Sequence, residues 1–274
     1  MDRKKVIKYI ENFHKLYEKD FLNSDKYKNK QYLLNSIRAN LPNERLKNAV
    51  FFILSYSFYR GRNDELSTRF KERAFKVLNE FFEERKDFLL ESLSRIDKNE
   101  LKEVGVYADL DSRLQNNGVN NKHDRLMILD LINFIQWNEH KNITVFLEDK
   151  IKSRSLQEAY KNLQNIHAIG PKVASLILRD LVYIRKLEKY LNRPDDYYYL
   201  QPVDIWVHRL SRKLGLVSRE EICHEKEARD ITNRCFELGV NPIHYNQGIW
   251  YIGTQSLEIL LKLLQDVNLE SYLS

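Results

Sequence analysis

The first residues with catalytic chemistry to offer follow a tight turn near position 170. Gly170 and Pro171 are typical of a helix start, because a proline in the first helical turn sacrifices no hydrogen bond. Lys172 then lies in the first turn, where backbone N–H groups and the helix dipole favour an anion. The same field disfavours a charged lysine, so a partly desolvated Lys172 would offer a neutral amine as nucleophile. Because capping alone explains Gly170 and Pro171, a solvated lysine at an ordinary helical corner stays the alternative.

The second candidate is a carboxylate further along the chain. Asp204 follows Pro202 and Val203, and the spacing of Val203, Val207 and Leu210 predicts a helix that begins at Pro202. Asp204 is therefore expected in the first turn, where a carboxylate interacts favourably with the helix dipole. An ordinary stabilising acid is the alternative to a catalytic one.

The elements that carry these residues are predicted to be helices. Apolar residues recur at spacings of three and four, and no segment shows the sustained period-two alternation of a strand. Residues 49–59 are apolar on nearly every side, which predicts a buried helix, although a buried strand has the same signature. One helix is expected to end near Ile166 and the next to begin at Pro171. The predicted fold class is all-α.

Composition limits the function classes. The 274 residues are 43% hydrophobic and 31% charged, which is typical of a folded globular protein of one or two domains. The sequence contains no run of 18 apolar residues, so it predicts no membrane span. It also has no apolar segment near the N-terminus, so it predicts no secretory signal. Cys223 and Cys235 are too few for an iron–sulfur cluster or a four-cysteine zinc site, and they favour a reducing cytoplasm. The net charge of +6 suits a polyanionic partner without requiring one.

Together, these segments resemble the helix-hairpin-helix DNA glycosylase superfamily. Residues 169–174 are similar to the hairpin with the catalytic lysine of bifunctional members, although Ala168 stands where the family usually has glycine. Pro202-Val203-Asp204 is similar to the segment with the family's aspartate, and residues 241–253 are similar to its late helix. No four-cysteine loop follows that helix. The chain therefore resembles the cluster-free 8-oxoguanine branches, and most of all the archaeal GO glycosylases.

The resemblance implies a two-lobed architecture. A six-helix bundle would run from residue 45 to residue 180 and end in the hairpin. Residues 1–44 and 181–274 would form the second helical lobe. Lys172 and Asp204 would face each other across the cleft between the lobes.

The resemblance also implies the reaction. The protein would act as a monomer on double-stranded DNA that contains a damaged base, with no metal and no organic cofactor. Lys172 would attack C1′, displace 8-oxoguanine and form a Schiff base, after which β-elimination cuts the strand. Asp204 would stabilise the positive charge that develops on the sugar. In a prokaryote, this activity implies a cytoplasmic protein associated with the nucleoid.

A base pocket is expected on the late helix, because the family flips its target base into such a pocket. The amides of Gln247 and Asn246 would reach the base edge, and Trp250 or Tyr251 would stack on the base. Core packing explains the two aromatic residues equally well.

DNA contacts are expected at two further places. Ile169 and Gly170 belong to the hairpin, whose backbone N–H groups would contact a phosphate. Arg60 and Arg62 stand where the family inserts a wedge loop into DNA, although a solvated loop also explains two arginines.

Two other functions fit the same residues. The chain would also suit a glycosylase for another damaged base, such as an oxidised pyrimidine or an alkylated purine. Lys172 speaks against a purely monofunctional alkyl-base enzyme, which has no use for an amine nucleophile. In a non-catalytic helix-hairpin-helix DNA-binding protein, the combination of Lys172 and Asp204 would be a coincidence.

Overall fold

A computed structural model describes residues 3–25, 27–59, 64–86, 88, 95–192, 194–218 and 220–255. These residues form helices and turns and contain no strand, which confirms the all-α fold class. Among the described helices, none combines the length and the apolar character that a bilayer crossing requires.

The described residues form fourteen α-helices, together with a π-helical turn at Glu18–Leu22 and short 3₁₀ turns. The α-helices are, in chain order, α1 (Arg3–Asn12), α2 (His14–Tyr17), α3 (Asn29–Arg38), α4 (Pro42–Ser57), α5 (Asp64–Glu84), α6 (Gly105–Asn116), α7 (Lys122–Trp137), α8 (Ile143–Lys152), α9 (Leu156–Gln164), α10 (Pro171–Arg185), α11 (Asp195–Tyr198), α12 (Ile205–Lys213), α13 (His224–Leu238) and α14 (Pro242–Gln255).

The chain divides into two compact units. The terminal unit comprises residues 1–24 and 192–274, and the central unit comprises residues 25–191. The described part of the central unit holds eight α-helices, α3–α10, where the resemblance implied six from residue 45 to residue 180. Residues 25–44 join this unit because α3 packs along α4 and α8. Position 180 is no boundary either, because α10 continues unbroken to Arg185.

Helix α4 lies at the centre of the central unit. It contacts α3, α5, α7, α8 and α10, and all its residues from 48 to 57 are buried. The apolar run that was open to a strand interpretation is therefore a helix, and its apolar character on all sides reflects neighbours on all sides. A polar link supports the α3–α8 contact: Ser36 Oγ and Thr144 Oγ1 are 2.8 Å apart, and Asn142 Nδ2 donates to the Ser36 carbonyl.

Helix α14 organises the terminal unit, where it packs against α1, α2, α12 and α13. Two glycines on α14 permit this close packing. A Cβ on Gly248 would lie 2.0 Å from the carbonyl oxygen of Ile10, and one on Gly253 would lie 2.5 Å from Cβ of Trp206. Any larger residue at Gly248 would push α1 away, because a backbone atom cannot rotate aside.

The helix start predicted at Pro171 is confirmed, and the one predicted at Pro202 is wrong. Helices α10 and α14 begin at Pro171 and Pro242, but α12 begins at Ile205 and not at Pro202. The start moves because Asp204 has an extended backbone and caps α12 with its side chain.

Candidate active site

A tight turn joins α9 and α10 in the central unit. Ile169 N–H donates to the Ile166 carbonyl at 3.1 Å, and His167 N–H donates to the Asp130 carboxylate at 2.7 Å. Ala168 is left-handed, with φ of 63°, which explains why glycine suits this position. The side chain of Ile169 is buried, so this residue can present only its backbone to a ligand.

Lys172 lies in the first turn of α10, as predicted, and its side chain is half-buried. The N-cap residue, Gly170, brings no side-chain hydrogen bond to this turn, and within the described part of the chain a Cβ on Gly170 would meet no atom within 4 Å. Among these residues, none closes the space at Gly170 to a ligand. The Lys172 amine donates to the main-chain carbonyl of Tyr59 at 3.3 Å. Among the described residues, no carboxylate forms an ion pair with it.

Tyr59, whose carbonyl accepts the hydrogen bond from Lys172, belongs to a cluster of side chains that was not predicted from the sequence. Lys71, on α5, is buried, and its ammonium lies 5.3 Å from the ring centroid of Tyr27 and 5.7 Å from that of Tyr59. The two rings meet edge to face at 6.2 Å, and the Tyr59 hydroxyl is 3.1 Å from Thr68 Oγ1. These contacts hold Tyr59 in place, and with it the main-chain oxygen that accepts the hydrogen bond from the Lys172 amine. No spacing rule signals such a cluster, because its members come from separate elements.

Asp204, in the terminal unit, is the N-cap of α12 rather than a first-turn residue. Its Oδ1 accepts hydrogen bonds from the backbone N–H groups of Trp206 and Val207, both at 2.9 Å. The carboxylate is thus fixed in orientation, and Oδ2 lies outside the cap. Half-burial leaves the group partly accessible.

Two buried contacts hold the segment around Asp204. Asn246, on α14, donates from Nδ2 to the Pro202 carbonyl at 3.4 Å. His208, one turn after Asp204, has Nδ1 2.9 Å from the Glu227 carboxylate and Nε2 3.1 Å from the Glu220 carbonyl. His208 is buried, and these contacts give it a structural role. Asn246, expected at the base edge, is buried and contacts the chain just before Asp204.

The other predicted pocket residues belong to α14 and contact its neighbours. Gln247 is fully buried. Trp250 is half-buried and meets Tyr17 and Phe21 edge to face, at 5.5 and 5.2 Å between ring centroids. Tyr251 donates from its hydroxyl to Asp20 at 2.6 Å, and burial, followed by this bond, raises the pKa of Tyr251 to about 12. Packing contacts therefore exist for both aromatic residues, and their role in binding a base stays a prediction.

Two further predictions concern the arginines of the wedge loop and the joint action of Lys172 and Asp204. Arg60 and Arg62 lie outside the described residues. Lys172 belongs to the central unit and Asp204 to the terminal unit, so their joint action stays a prediction. Within the described ranges, no group of three or more His, Cys, Asp or Glu side chains is arranged to hold a metal ion.

Comparisons with protein-family models, with curated proteins and with solved structures return no match for this chain. The function must therefore be inferred from the residues and their geometry.

Proposed function

We propose that the protein is a bifunctional DNA glycosylase and AP lyase that excises 8-oxoguanine from duplex DNA. The observation that supports this most is the setting of Lys172. Its amine lies at the open start of α10, directly behind a tight turn, and its described hydrogen-bond partner is a main-chain carbonyl. A carbonyl is a neutral acceptor, so it positions the amine without engaging it in an ion pair. Such an amine is suited to act as a nucleophile.

The proposed reaction begins when the damaged nucleotide leaves the duplex. The Lys172 nitrogen bonds to C1′ of the sugar, and the glycosidic bond breaks as the base departs with its electron pair and a proton. Opening of the sugar ring then gives an imine between Lys172 and C1′. Loss of a proton from C2′ drives cleavage of the C3′–O bond, and the 3′ part of the strand leaves with its phosphate.

Asp204 would act by charge. As the glycosidic bond lengthens, positive charge develops at C1′, and a fixed carboxylate stabilises it without reorganising. The cap supports this role, since two backbone N–H groups hold Oδ1 and leave Oδ2 for another contact.

DNA and base would be bound by the remaining predicted residues. The backbone at Ile169 and Gly170 would contact a phosphate at the start of α10, where the helix dipole favours an anion. Trp250 or Tyr251 would stack on the flipped base. For Gln247 to reach the base edge, the pocket must extend into the interior of the terminal unit, because this side chain is fully buried.

Borohydride trapping on a panel of duplexes tests the proposal. The panel contains 8-oxoguanine, an oxidised pyrimidine, an alkylated purine or no lesion. We expect the reduced covalent complex to form fastest with 8-oxoguanine and not to form with the undamaged duplex. Trapping confined to another lesion would identify a glycosylase for that base. Lesion binding without any trapping would identify a non-catalytic DNA-binding protein and overturn the proposal.

A further inference from the structure

Two histidines meet at the turn that precedes Lys172. His167 belongs to the turn between α9 and α10, and His123 lies in the first turn of α7. Their nearest ring nitrogens, Nδ1 of His123 and Nε2 of His167, are 3.0 Å apart. The His123 side chain is exposed, so the pair lies at the protein surface.

The geometry is that of a hydrogen bond between ring edges. The two ring planes differ by only 8°, but their centroids are 5.3 Å apart. A face-to-face pair in the same protein, His14 and His244, has the same interplanar angle with centroids only 4.0 Å apart. A nitrogen–nitrogen distance of 3.0 Å leaves no room for a metal ion in line between two nitrogens, since each zinc–nitrogen bond takes about 2.0–2.1 Å. One proton therefore lies between the two rings, donated by one nitrogen and accepted by the other.

We propose that this pair is a proton-linked phosphate contact for the DNA bound at the hairpin. In the neutral pair, one outward nitrogen carries a hydrogen and the other does not. One added proton gives both outward nitrogens a hydrogen and gives the pair a single positive charge, shared through a charge-assisted hydrogen bond. The exposed His123 then presents Nε2–H as a donor to a phosphate oxygen. The inference rests on the proposed function, because it assumes DNA at this turn.

Charges of both signs surround the pair, and a bound phosphate adds the negative charge that favours proton uptake. The dipole of α7 opposes positive charge on His123 until an anion arrives, because this residue lies in the first helical turn. Lys122 beside His123 and Lys172 after the turn also oppose it, whereas Asp124 and Asp130 favour it; Asp130 accepts a hydrogen bond from the His167 backbone. A cavity beside the turn is lined by Asp130 and Asn165 together with Arg95, Asp97 and Lys98, and so adds charge of both signs. A DNA phosphate adds negative charge at the pair itself.

The test is the pH dependence of DNA affinity at constant ionic strength. Fluorescence anisotropy with an undamaged duplex suits it, because a phosphate contact does not depend on the lesion. Between about pH 5 and about pH 8, the range in which histidine changes charge, we expect wild-type affinity to fall as pH rises. The limit for one linked proton is about tenfold per pH unit. His123→Gln should flatten this dependence and bind like the wild type at the alkaline end.

His140→Gln is the matched control, because His140 is an exposed histidine of the same unit that lies after α7, away from the hairpin turn. It should keep the wild-type dependence. His167→Gln supplies a second variant and should also reduce the slope. Equal slopes for His123→Gln, His140→Gln and the wild type would overturn the phosphate contact. If lesion trapping succeeds but affinity shows no such dependence, only the histidine inference fails; if no duplex binds at any pH, the proposed function fails with it.

Discussion

The side-chain amine of Lys172 donates to the main-chain carbonyl of Tyr59, and this 3.3 Å contact joins the start of α10 to the end of α4. Tyr59, which accepts this hydrogen bond, precedes Lys172 by 113 positions in the sequence. Its ring is held against Tyr27 and the buried Lys71. The orientation of the proposed nucleophile is thus set by the segment that follows α4, the helix at the centre of this unit, and not by the hairpin alone.

Asp204→Asn separates charge from capping. Asparagine caps a helix about as well as aspartate, so the variant should keep the hydrogen bonds to Trp206 and Val207 and fold normally. Base excision should slow by about two decades or more, because the stabilising negative charge is gone. Single-turnover excision of 8-oxoguanine measures this.

Asp204→Ala is the control for the cap. It should lose activity as well and, in addition, about 1 kcal/mol of stability in urea unfolding. DNA affinity of Asp204→Asn should not weaken, since the loss of a negative charge does not reduce the attraction to a polyanion. Near-normal excision by the asparagine variant would remove Asp204 from the reaction.

Ala168→Gly tests the strain in the hairpin turn. The left-handed conformation, with φ of 63°, costs a residue with a Cβ about 1–2 kcal/mol, and the greater chain entropy of glycine offsets about 0.5–1 kcal/mol of the relief. We expect a net stabilisation of about 0.5–1 kcal/mol in urea unfolding. Ala108→Gly, within α6, should instead destabilise by about 1 kcal/mol. A loss of stability in both variants would show that the turn is not strained by Ala168.

Local rules predicted some elements and failed where two of them competed. Pro171 and Pro242 each mark a helix start, and α14 begins directly after Asn241, whose Oδ1 accepts from the backbone N–H groups of Ile243 and His244. Pro202 does not, since Asp204 caps two residues later and takes the start to Ile205. The apolar spacing through Val203 could not show this, because it is compatible with either start.

The sequence pattern did not predict which side chains are buried or which helices contact one another. Gln247 and Tyr251 lie on one helix, as expected from the sequence. The sequence does not show which of the two side chains the neighbouring helices bury. Gly248 lets α1 approach the backbone of α14, and this contact is not visible from residue spacing. The predicted division at residues 45 and 180 differs from the observed units because α3 packs on α4 through contacts that no periodicity encodes.

Base recognition by α14 predicts unequal effects on damaged and undamaged DNA. Trp250→Ala should weaken binding to an 8-oxoguanine duplex by about 1–3 kcal/mol, the value of one base–aromatic stack, while affinity for undamaged duplex changes little. Trp250→Phe keeps an aromatic face and should retain most lesion affinity. Tyr251→Ala should behave like Trp250→Ala if Tyr251 is the stacking residue.

Gln247→Ala should weaken lesion binding without removing the trapped complex, and its burial predicts a loss of stability as well. Binding titrations with both duplexes, on variants checked for folding, provide the comparison. Equal losses on damaged and undamaged DNA would mean that these residues support the fold and do not contact the base.

The hydroxyl of Tyr251 predicts a pH-dependent term in stability. Burial, with the Asp20 bond, raises the pKa of Tyr251 to about 12 in the folded protein, whereas the phenol of the unfolded chain ionises near 10. The contribution of Tyr251 to the free energy of unfolding is therefore complete below pH 10 and is lost as pH rises towards about 12. The reason is that the phenol loses its proton in the unfolded chain first. Urea unfolding of wild type and Tyr251→Phe across this range gives the difference. A difference that stays constant with pH would contradict the shift.

Peptide mapping of the borohydride-reduced complex tests the central claim most directly. Reduction converts the imine into a stable secondary amine between C1′ of the sugar and the attacking nitrogen, so that proteolysis and mass spectrometry identify the lysine. We expect the remnant of an 8-oxoguanine duplex on Lys172 alone, no adduct in Lys172→Gln, and a normal adduct in Lys161→Gln, which changes an exposed lysine of α9. An adduct on another lysine, or wild-type trapping by Lys172→Gln, would contradict the assignment of Lys172 as the nucleophile.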